Sequence, residues 1–236
     1  MGIPERALGF FSNTAKLQSF PVFIFYLICI FLTPVWTRLF SPFDLKQVML
    51  IYNIVCVLLS AASTILLWWG NVAAGAMYGY DTNAYIQYGL MIYAISKNVE
   101  LLDTVFMILR HRYRQISFLH VFHHSTIMIL GNYAYVYTPF PPVAVVIGLN
   151  SLVHVALYSY YAITALSSTQ RPSWKKNLTQ FQIAQFLFDL VFAIKGYLYH
   201  GFCIYAIMYC MSMIVLFSNF YFMAYAKKKP ESKKKE

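Results

Sequence analysis

The sequence predicts an all-α, polytopic membrane protein, and three observations lead to this prediction. Of its 236 residues, 60% are hydrophobic and only 11% are charged, whereas in soluble domains about a quarter of the residues are charged. Apolar runs of about twenty residues, long enough to cross a bilayer as a helix, recur along the chain. The basic residues behind the formal net charge of +10 lie at the ends of these runs. We therefore expect a membrane protein and no nucleic-acid partner.

Seven apolar runs are predicted to be transmembrane helices. They cover residues 20–39, 48–69, 84–109, 116–137, 143–166, 178–199 and 203–226. Polar or turn-forming connectors separate them: SPFDLKQ, the glycine-containing loop 70–82, RHRYR, TPFPP, SSTQRPSWKKN and the short turn 200–202. Proline disfavours helix at its own position and at the one before, so TPFPP ends the fourth span. The predicted organisation is a polar lead over 1–19, one transmembrane domain over 20–226 and a basic tail over 227–236.

The distribution of lysine and arginine predicts the orientation. Of these 18 residues, fourteen flank the same ends of the predicted spans, in the odd-numbered connectors and the tail. Because basic residues concentrate on the cytosolic side, RHRYR and the C-terminal tail are predicted to be cytosolic and the N-terminus luminal. The glycosylation sequon that begins at Asn177 then faces the cytosol and should stay unmodified.

Ionisable and polar side chains are concentrated in the cytosolic halves of four predicted spans. Such side chains are costly in a bilayer and mark functional sites by default. The spacing of three and four residues in HVFHH puts three histidines on one helix face. The fifth and sixth spans repeat polar residues at helical spacing. The cluster comprises Lys97, Glu100 and Asp103 on the third span, His120, His123 and His124 on the fourth, Asn150, His154, Tyr158 and Tyr161 on the fifth, and Thr179, Gln182, Gln185 and Asp189 on the sixth.

The predicted bundle has a basic mouth, a polar middle and an apolar luminal end. Arginine and lysine at Arg110, Arg112, Arg114, Lys175 and Lys176 would meet phosphates, which arginine binds with its planar fork. An acyl coenzyme A thioester is an amphiphile of this shape. The four cysteines are scattered without metal-ligand spacing, and none is assigned to the polar cluster.

Structural roles remain open for several of these residues. Glu100 and Asp103 could keep Lys97 charged or fix the tautomers of the histidines. The tyrosines of the fifth span could form an interfacial aromatic belt. Thr179 and the glutamines of the sixth span could hold helices together by hydrogen bonds.

Four motifs in this order resemble those of the ELO family, the condensing enzymes of very-long-chain fatty acid elongation. They are KNVELLDT from Lys97, HVFHH from His120, NSLVHVALYSYY from Asn150 and TQFQIAQF from Thr179. PFDL and YN, from Pro42 and Tyr52, extend the resemblance. The sequence departs from the family pattern at Phe122, where tyrosine is commoner, and at Leu157, where methionine is usual.

The resemblance implies a seven-helix protein of the endoplasmic reticulum in which six helices enclose an acyl tunnel. The implied reaction joins acyl-CoA and malonyl-CoA into 3-oxoacyl-CoA, CO2 and CoA, with no cofactor and no metal. We expect His123 to accept the acyl group, His154 to be the second reacting imidazole, and His120, His124 and Asp103 to orient them. Substrate binding is expected from Lys97, Glu100, Arg110, Arg112, Asn150, Tyr158, Tyr161, Lys175, Thr179 and Gln182.

The resemblance also bears on partners and substrate. The expected partners are the bilayer, other enzymes of the elongation cycle and a second copy of the chain. The tail ending KKKE resembles a dilysine retrieval signal, and Gln115 resembles the polyunsaturated-acyl branch of the family.

Two alternatives belong to other functional classes. HVFHH also resembles the histidine boxes of metal-dependent membrane desaturases and hydroxylases, and a mononuclear site that includes Asp103 or Glu100 is conceivable. A seven-helix transporter or receptor is the other alternative, although the sequence predicts no short or broken spans of the kind that form transport sites.

Overall fold

The computed structural model of this chain describes residues 3–167, 172–202 and 204–226, and these ranges contain helices and no strand. The predicted all-α class is therefore confirmed. In chain order the helices are α1 (Ile3–Ala15), α2 (Phe20–Phe31), α3 (Thr33–Leu39), α4 (Lys46–Ala74), α5 (Ala84–Val99), α6 (Leu102–Leu109), α7 (Phe118–Tyr137), α8 (Pro141–Leu166), α9 (Lys175–His200) and α10 (Ile204–Tyr221). A short 3₁₀ turn, Tyr113–Gln115, precedes α7, and a π-helical turn, Phe222–Ala226, follows α10.

The chain divides into two compact units, Met1–Arg171 and Pro172–Glu236. In the first unit α4 packs along both α5 and α8, and α7 packs against α5. In the second unit α9 packs against α10, and Phe186 contacts Phe217 with 5.5 Å between the ring centroids. The proposed single domain over 20–226 stays a prediction, and the basic tail 227–236 lies outside the described residues.

The number of helices that could cross a membrane is smaller than the predicted seven. Within the described ranges, four are long and apolar enough: α4, α8, α9 and the continuous stretch Ile204–Ala226. A fifth is reached if α2 is joined to the end of α1, although these two segments are bent by 78°. The multi-pass membrane class is supported, while the count of seven stays a prediction.

Two predicted spans are interrupted, so the expectation that no span is broken is wrong. The first breaks at Leu32, between α2 and α3, where Pro34 cannot donate a helical hydrogen bond. The third breaks at Glu100 and Leu101, between α5 and α6. No proline or glycine lies at this second break. Instead the backbone tightens, because the N–H groups of Asp103 and Thr104 bond to carbonyls three residues back, at 3.1 and 3.2 Å.

The ends of several helices follow local sequence signals. α4 continues through Gly70, where a Cβ atom would lie 2.7 Å from Cγ1 of Ile86, and it ends at Gly75, which has a φ of +68°. The predicted loop 70–82 therefore begins five residues late. Asn83 caps α5 by accepting a hydrogen bond from the N–H of Ile86 at 3.1 Å. TPFPP separates α7 from α8, as predicted.

Candidate active site

The histidine box lies in the first two turns of α7. Ser117 caps this helix by accepting a hydrogen bond from the N–H of His120 at 3.2 Å, which fixes where the helix begins. The rings of His120 and His124, one turn apart, are in contact, with 4.3 Å between centroids and 40° between the ring planes. His123 and His124 are buried, and their centroids are 5.8 Å apart. The spacing in HVFHH thus forms one imidazole cluster, as the sequence predicts.

A polar stripe on α8 meets the α5–α6 segment through three hydrogen bonds. The hydroxyl of Tyr93 donates to Oδ1 of Asn150 at 2.9 Å, and the hydroxyl of Tyr158 donates to Oδ2 of Asp103 at 2.7 Å. Between them, Nδ1 of His154 lies 3.0 Å from Nζ of Lys97. The side chains at 150, 154 and 158 lie one turn apart, so successive turns of α8 each bond to one partner.

The centre of this interface is a buried ion pair. Nζ of Lys97 lies 2.7 Å from Oε1 and 2.9 Å from Oε2 of Glu100. Ser96 donates a further hydrogen bond to Oε1 at 2.8 Å. Lys97 is 2% exposed and Glu100 is fully buried, so neither charge has access to water. Breaking such a pair by removing one partner is strongly destabilising, because a charge remains unpaired in the interior.

Two histidines from different helices face each other beside this ion pair. The ring centroids of His123, on α7, and His154, on α8, are 6.2 Å apart with 39° between the ring planes. Both side chains are buried. This arrangement places two imidazoles around one small volume in the polar interior of the first unit.

A second hydrogen-bonded chain reaches His120 from α2. Oγ1 of Thr104 lies 2.7 Å from Nε2 of His120 and 3.0 Å from the hydroxyl of Tyr26. The sequence analysis missed Tyr26 and Thr104, and it also missed Tyr93 and Ser96. Tyr93 could have been predicted, because it lies one helical turn before Lys97 and on the same face of the helix. Tyr26 carries no such signal, because it is one aromatic residue in an apolar run.

Cys56 lies beside Tyr158, a residue of the predicted polar cluster. Cys56 on α4 is fully buried and packs in a cluster with Tyr52 and Tyr158. The sequence could not show this contact, because Cys56 sits in an uninterrupted apolar run and only the packing of α4 on α8 brings it close to Tyr158.

A cleft opens beside the RHRYR connector. It has a volume of about 460 Å³ and is lined by Pro42, Phe43, Asp44, Arg110 and Arg112. The N–H of Phe43 bonds to the carbonyl of Leu109 at 3.0 Å, which ties the SPFDLKQ connector to the end of α6. Two of the three arginines predicted to meet phosphate, Arg110 and Arg112, therefore share one cleft.

The other predicted binding residues are divided between the two units. Tyr161 is 40% exposed and contacts Tyr158 edge to face. Lys175 is exposed in the first turn of α9, and Thr179 bonds back to its carbonyl at 3.4 Å; both lie in the second unit, as does Gln182. Arg171, counted for the orientation, lies outside the described residues.

Lys97, which was expected to bind substrate, makes its contacts inside the polar cluster, and its role in substrate binding stays a prediction. Its ammonium group is enclosed by Glu100 and His154 and has almost no exposed surface. The structural alternative, in which Glu100 keeps Lys97 charged, agrees with these contacts. Sequence spacing places Lys97 and Glu100 on one helix face, but it cannot show that their side chains form an ion pair with each other.

The metal-dependent alternative gains no support from the geometry. No three histidine, cysteine, aspartate or glutamate side chains in the described ranges form a group that could hold a metal ion. Nε2 of His120 is engaged by Thr104, and Nδ1 of His154 is engaged by Lys97.

Comparison with known proteins identifies the family. The profile of the ELO family, described as the GNS1/SUR4 family, matches residues 13–234. Very long chain fatty acid elongase 5 of Homo sapiens is 31% identical over an aligned length of 237 residues, and the alignment covers 94% of this chain and 79% of that protein. Very long chain fatty acid elongase 4 of Homo sapiens is 36% identical over 225 residues, covering 89% and 72%. Elongase 5 of Tachysurus fulvidraco is 31% identical over 251 residues, covering 97% and 82%. The chain thus belongs to the ELO (GNS1/SUR4) family of fatty acid elongases, as its motifs predict.

Proposed function

We propose that this protein catalyses the condensation step of fatty acid elongation. An acyl-CoA and malonyl-CoA, with one proton, would give 3-oxoacyl-CoA, CO2 and CoA. The proposal rests on one observation above all: in a member of the elongase family, His123 and His154 face each other in a buried polar cluster, with ring centroids 6.2 Å apart. No cofactor is needed, because the malonyl group itself supplies the electron pair for the new carbon–carbon bond.

In the first half of the reaction, a ring nitrogen of neutral His123 attacks the thioester carbon. A carbon–nitrogen bond forms, the carbon–sulfur bond breaks, and the CoA thiolate leaves and takes up the proton of the ring, so that a neutral acyl-imidazole remains. Neutral imidazole is a competent nucleophile, and an acyl-imidazole remains reactive toward carbon nucleophiles. His120 and His124 flank His123 on α7 and orient it, while Asp103, held by Tyr158, fixes the facing helix.

In the second half, malonyl-CoA loses CO2 and its C2 atom attacks the acyl carbon. The carbon–nitrogen bond breaks and the ring takes up the one proton of the overall reaction, so His123 is restored to its starting form. The enolate oxygen that develops during decarboxylation needs hydrogen-bond donors aimed at it. Asn150 and His154 are the candidates, and Tyr93 orients the Asn150 amide by donating to its Oδ1.

The substrate would span from the basic cleft to the apolar interior. Phosphates of CoA would bind Arg110 and Arg112 in the cleft of about 460 Å³, and the acyl chain would run past the histidines into a tunnel. Glu100, Tyr158 and Tyr161 would line the route in the first unit, and Lys175, Thr179 and Gln182 of the second unit stay predicted CoA-binding residues. We propose a location in the endoplasmic reticulum membrane, with partners drawn from the other enzymes of the elongation cycle and a second copy of the chain.

The direct test uses the full-length protein purified in detergent. It would be incubated with radiolabelled malonyl-CoA and a panel of saturated and polyunsaturated acyl-CoAs, and labelled 3-oxoacyl-CoA would be measured. Malonyl-dependent product supports the proposal. The preferred acyl chain would also test the polyunsaturated branch that Gln115 suggests, and no product from any acyl-CoA by folded protein would overturn the condensing activity.

The nucleophile is tested by incubating the protein with acyl-CoA alone and measuring the intact mass. We expect an acyl adduct in the wild type and in Cys56→Ser, and none in His123→Ala, whose turnover should fall by at least about a hundredfold. Cys56→Ser is the matched control, because Cys56 is the cysteine that packs against the polar cluster. An adduct that survives His123→Ala and is lost in Cys56→Ser would assign the acyl group to the thiol instead.

A further inference from the structure

The Lys97 ammonium group has as many acceptors as it has protons. Its three N–H bonds face three atoms: Oε1 of Glu100 at 2.7 Å, Oε2 of Glu100 at 2.9 Å and Nδ1 of His154 at 3.0 Å. An ammonium group donates and cannot accept hydrogen bonds. For the contact with His154 to be a hydrogen bond, Nδ1 must therefore present its lone pair, and the proton of a neutral ring must lie on Nε2.

The opposite tautomer would leave this buried group poorly satisfied. Nδ1 of His154 also lies 3.2 Å from Oε2 of Glu100, which could accept a proton from Nδ1. In that case an N–H of the ring would point at the ammonium group, and Lys97 would lose one of its three acceptors in a place that is 2% exposed. Unsatisfied charged donors in the interior are costly, so the shorter contact, with Lys97 as donor, decides the tautomer.

A lysine in this position reverses the usual polarity of a buried histidine. A carboxylate or backbone carbonyl at Nδ1 holds a proton there and leaves the Nε2 lone pair to act as a base. Lys97 instead occupies the Nδ1 lone pair and leaves Nε2–H on the opposite edge of the ring, away from the ion pair. A cation bonded to Nδ1 also withdraws electron density from the ring, which strengthens Nε2–H as a donor.

We propose that Lys97 and Glu100 are positioning residues that hold His154 as the Nε2–H tautomer, so that His154 donates a hydrogen bond to a negatively charged substrate oxygen. This inference rests on the proposed function and narrows the role of His154 there to that of a hydrogen-bond donor, where the sequence led us to expect a second reacting imidazole. The two facing imidazoles then have opposite tasks: His123 offers a lone pair to carbon and His154 offers a proton to oxygen. Ser96, bonded to Oε1 of Glu100, holds the carboxylate in place.

The tautomer is measured by nitrogen NMR of the full-length protein in detergent, labelled with ¹⁵N-histidine. The signals of His154 are assigned by their loss in His154→Gln. We expect a protonated Nε2 and an unprotonated Nδ1 in the wild type and in Lys97→Arg, because a guanidinium group also only donates. In Lys97→Met the Nδ1 proton should appear, since Glu100 becomes the remaining partner. A protonated Nδ1 in the wild type would overturn the inference.

Kinetics give the functional readout. We expect Lys97→Met to lower kcat by roughly ten- to a hundredfold with little change in the KM for acyl-CoA, and Lys97→Arg to recover much of this loss. Ser63→Ala is the matched control: its hydroxyl is fully buried in the same unit, donates to the carbonyl of Gly89 at 3.0 Å and lies 3.2 Å from the Ser151 hydroxyl, so it tests the loss of buried hydrogen bonds that do not involve His154. Equal losses in Lys97→Met and Lys97→Arg, with the tautomer unchanged in both, would overturn the positioning role.

The two measurements separate this inference from the proposed function. If the wild type shows no condensation, the proposed function fails, yet the NMR spectrum still decides the tautomer of His154. If condensation occurs and the wild-type tautomer carries its proton on Nδ1, only the inference fails.

Discussion

At the scale of single residues, the chain of hydroxyls that ends on His120 shows what packing adds to a motif. Thr104 has one hydroxyl proton, so it can donate to Nε2 of His120 while it accepts from Tyr26. This arrangement joins α2, α6 and α7 through a single side chain. Because the hydroxyl of Tyr26 bonds to Thr104, which in turn contacts His120, the contributions of the Tyr26 and Thr104 hydroxyls should not be independent.

We therefore expect energetic coupling between Tyr26→Phe and Thr104→Val. In a double-mutant cycle of unfolding free energies, measured in detergent, the double variant should lose less than the sum of the single losses, by at least about 0.5 kcal/mol. Thr64→Val is the control partner, since the Thr64 hydroxyl bonds only one turn back, to the carbonyl of Ser60 at 2.8 Å. Additive losses for Tyr26 and Thr104, like those for Tyr26 and Thr64, would contradict the chain.

The polar residues of the interior could be predicted from the sequence, and their bonds could not. Helical spacing and the cost of ionisable groups in a bilayer identified Lys97, Glu100, His123 and His154. Helical spacing shows which residues share one face of a helix, but it does not show which residues of another helix they contact. The closure of Lys97 on Glu100 and His154, and the approach of Cys56 to Tyr158, depend on distances that only the packing of α4, α5 and α8 sets.

At the scale of elements, close helix contacts support the site. α7 approaches α5 at Gly131, where an added Cβ atom would lie 2.9 Å from Cε1 of Tyr93. Tyr93 in turn donates to Asn150 on α8. The absence of a side chain at position 131 thus lets three helices meet around one tyrosine.

Gly131→Ala and Gly9→Ala should change stability in opposite directions. At Gly131 the methyl group would displace the Tyr93 ring, and overpacking of this kind costs about 1–3 kcal/mol of unfolding free energy. Gly9 lies in α1 with no atom within 4 Å of an added Cβ, so alanine there should stabilise the helix by up to about 1 kcal/mol. Thermal unfolding of both variants in detergent tests this pair. Equal changes in the thermal stability of the two variants would show that the Tyr93 ring can move aside without loss of unfolding free energy.

Helix positions were predictable and helix interruptions were not. Proline and left-handed glycine mark the gap between α7 and α8 and the end of α4. The break between α5 and α6 has neither signal, because it comes from a locally tightened backbone next to buried Glu100. Pro34 was visible in the first predicted span, yet proline also occurs within continuous membrane helices, so its position alone did not predict the break.

At the scale of the whole molecule, two of the three segments that carry the proposed chemistry, α7 and α5–α6, are unlike ordinary membrane spans, whereas α8, which carries His154, is long and apolar. α4 and α8 pass a test of length and hydropathy, whereas α7 and the α5–α6 segment do not, within the described ranges. α7 carries three histidines, and the α5–α6 segment carries Lys97, Glu100 and Asp103 as well as a break. A site with many polar groups therefore lowers the apolar signal by which spans are recognised.

The predicted orientation can be tested by labelling with a membrane-impermeant maleimide. Tyr80 is 57% exposed in the loop between α4 and α5, which the charge distribution assigns to the lumen, and Lys175 begins α9, which it assigns to the cytosol. In sealed microsomes we expect Lys175→Cys to be labelled at once and Tyr80→Cys only after the membrane is permeabilised, with the unsubstituted protein as control for its own cysteines. Labelling of Tyr80→Cys in sealed vesicles would reverse or refute the topology. If the order is as expected, the chain crosses the bilayer an odd number of times between the α4–α5 loop and α9, as three spans at α5–α6, α7 and α8 require. The same orientation puts the cleft of Arg110 and Arg112, beside the RHRYR connector, on the cytosolic side, where the CoA head group is expected.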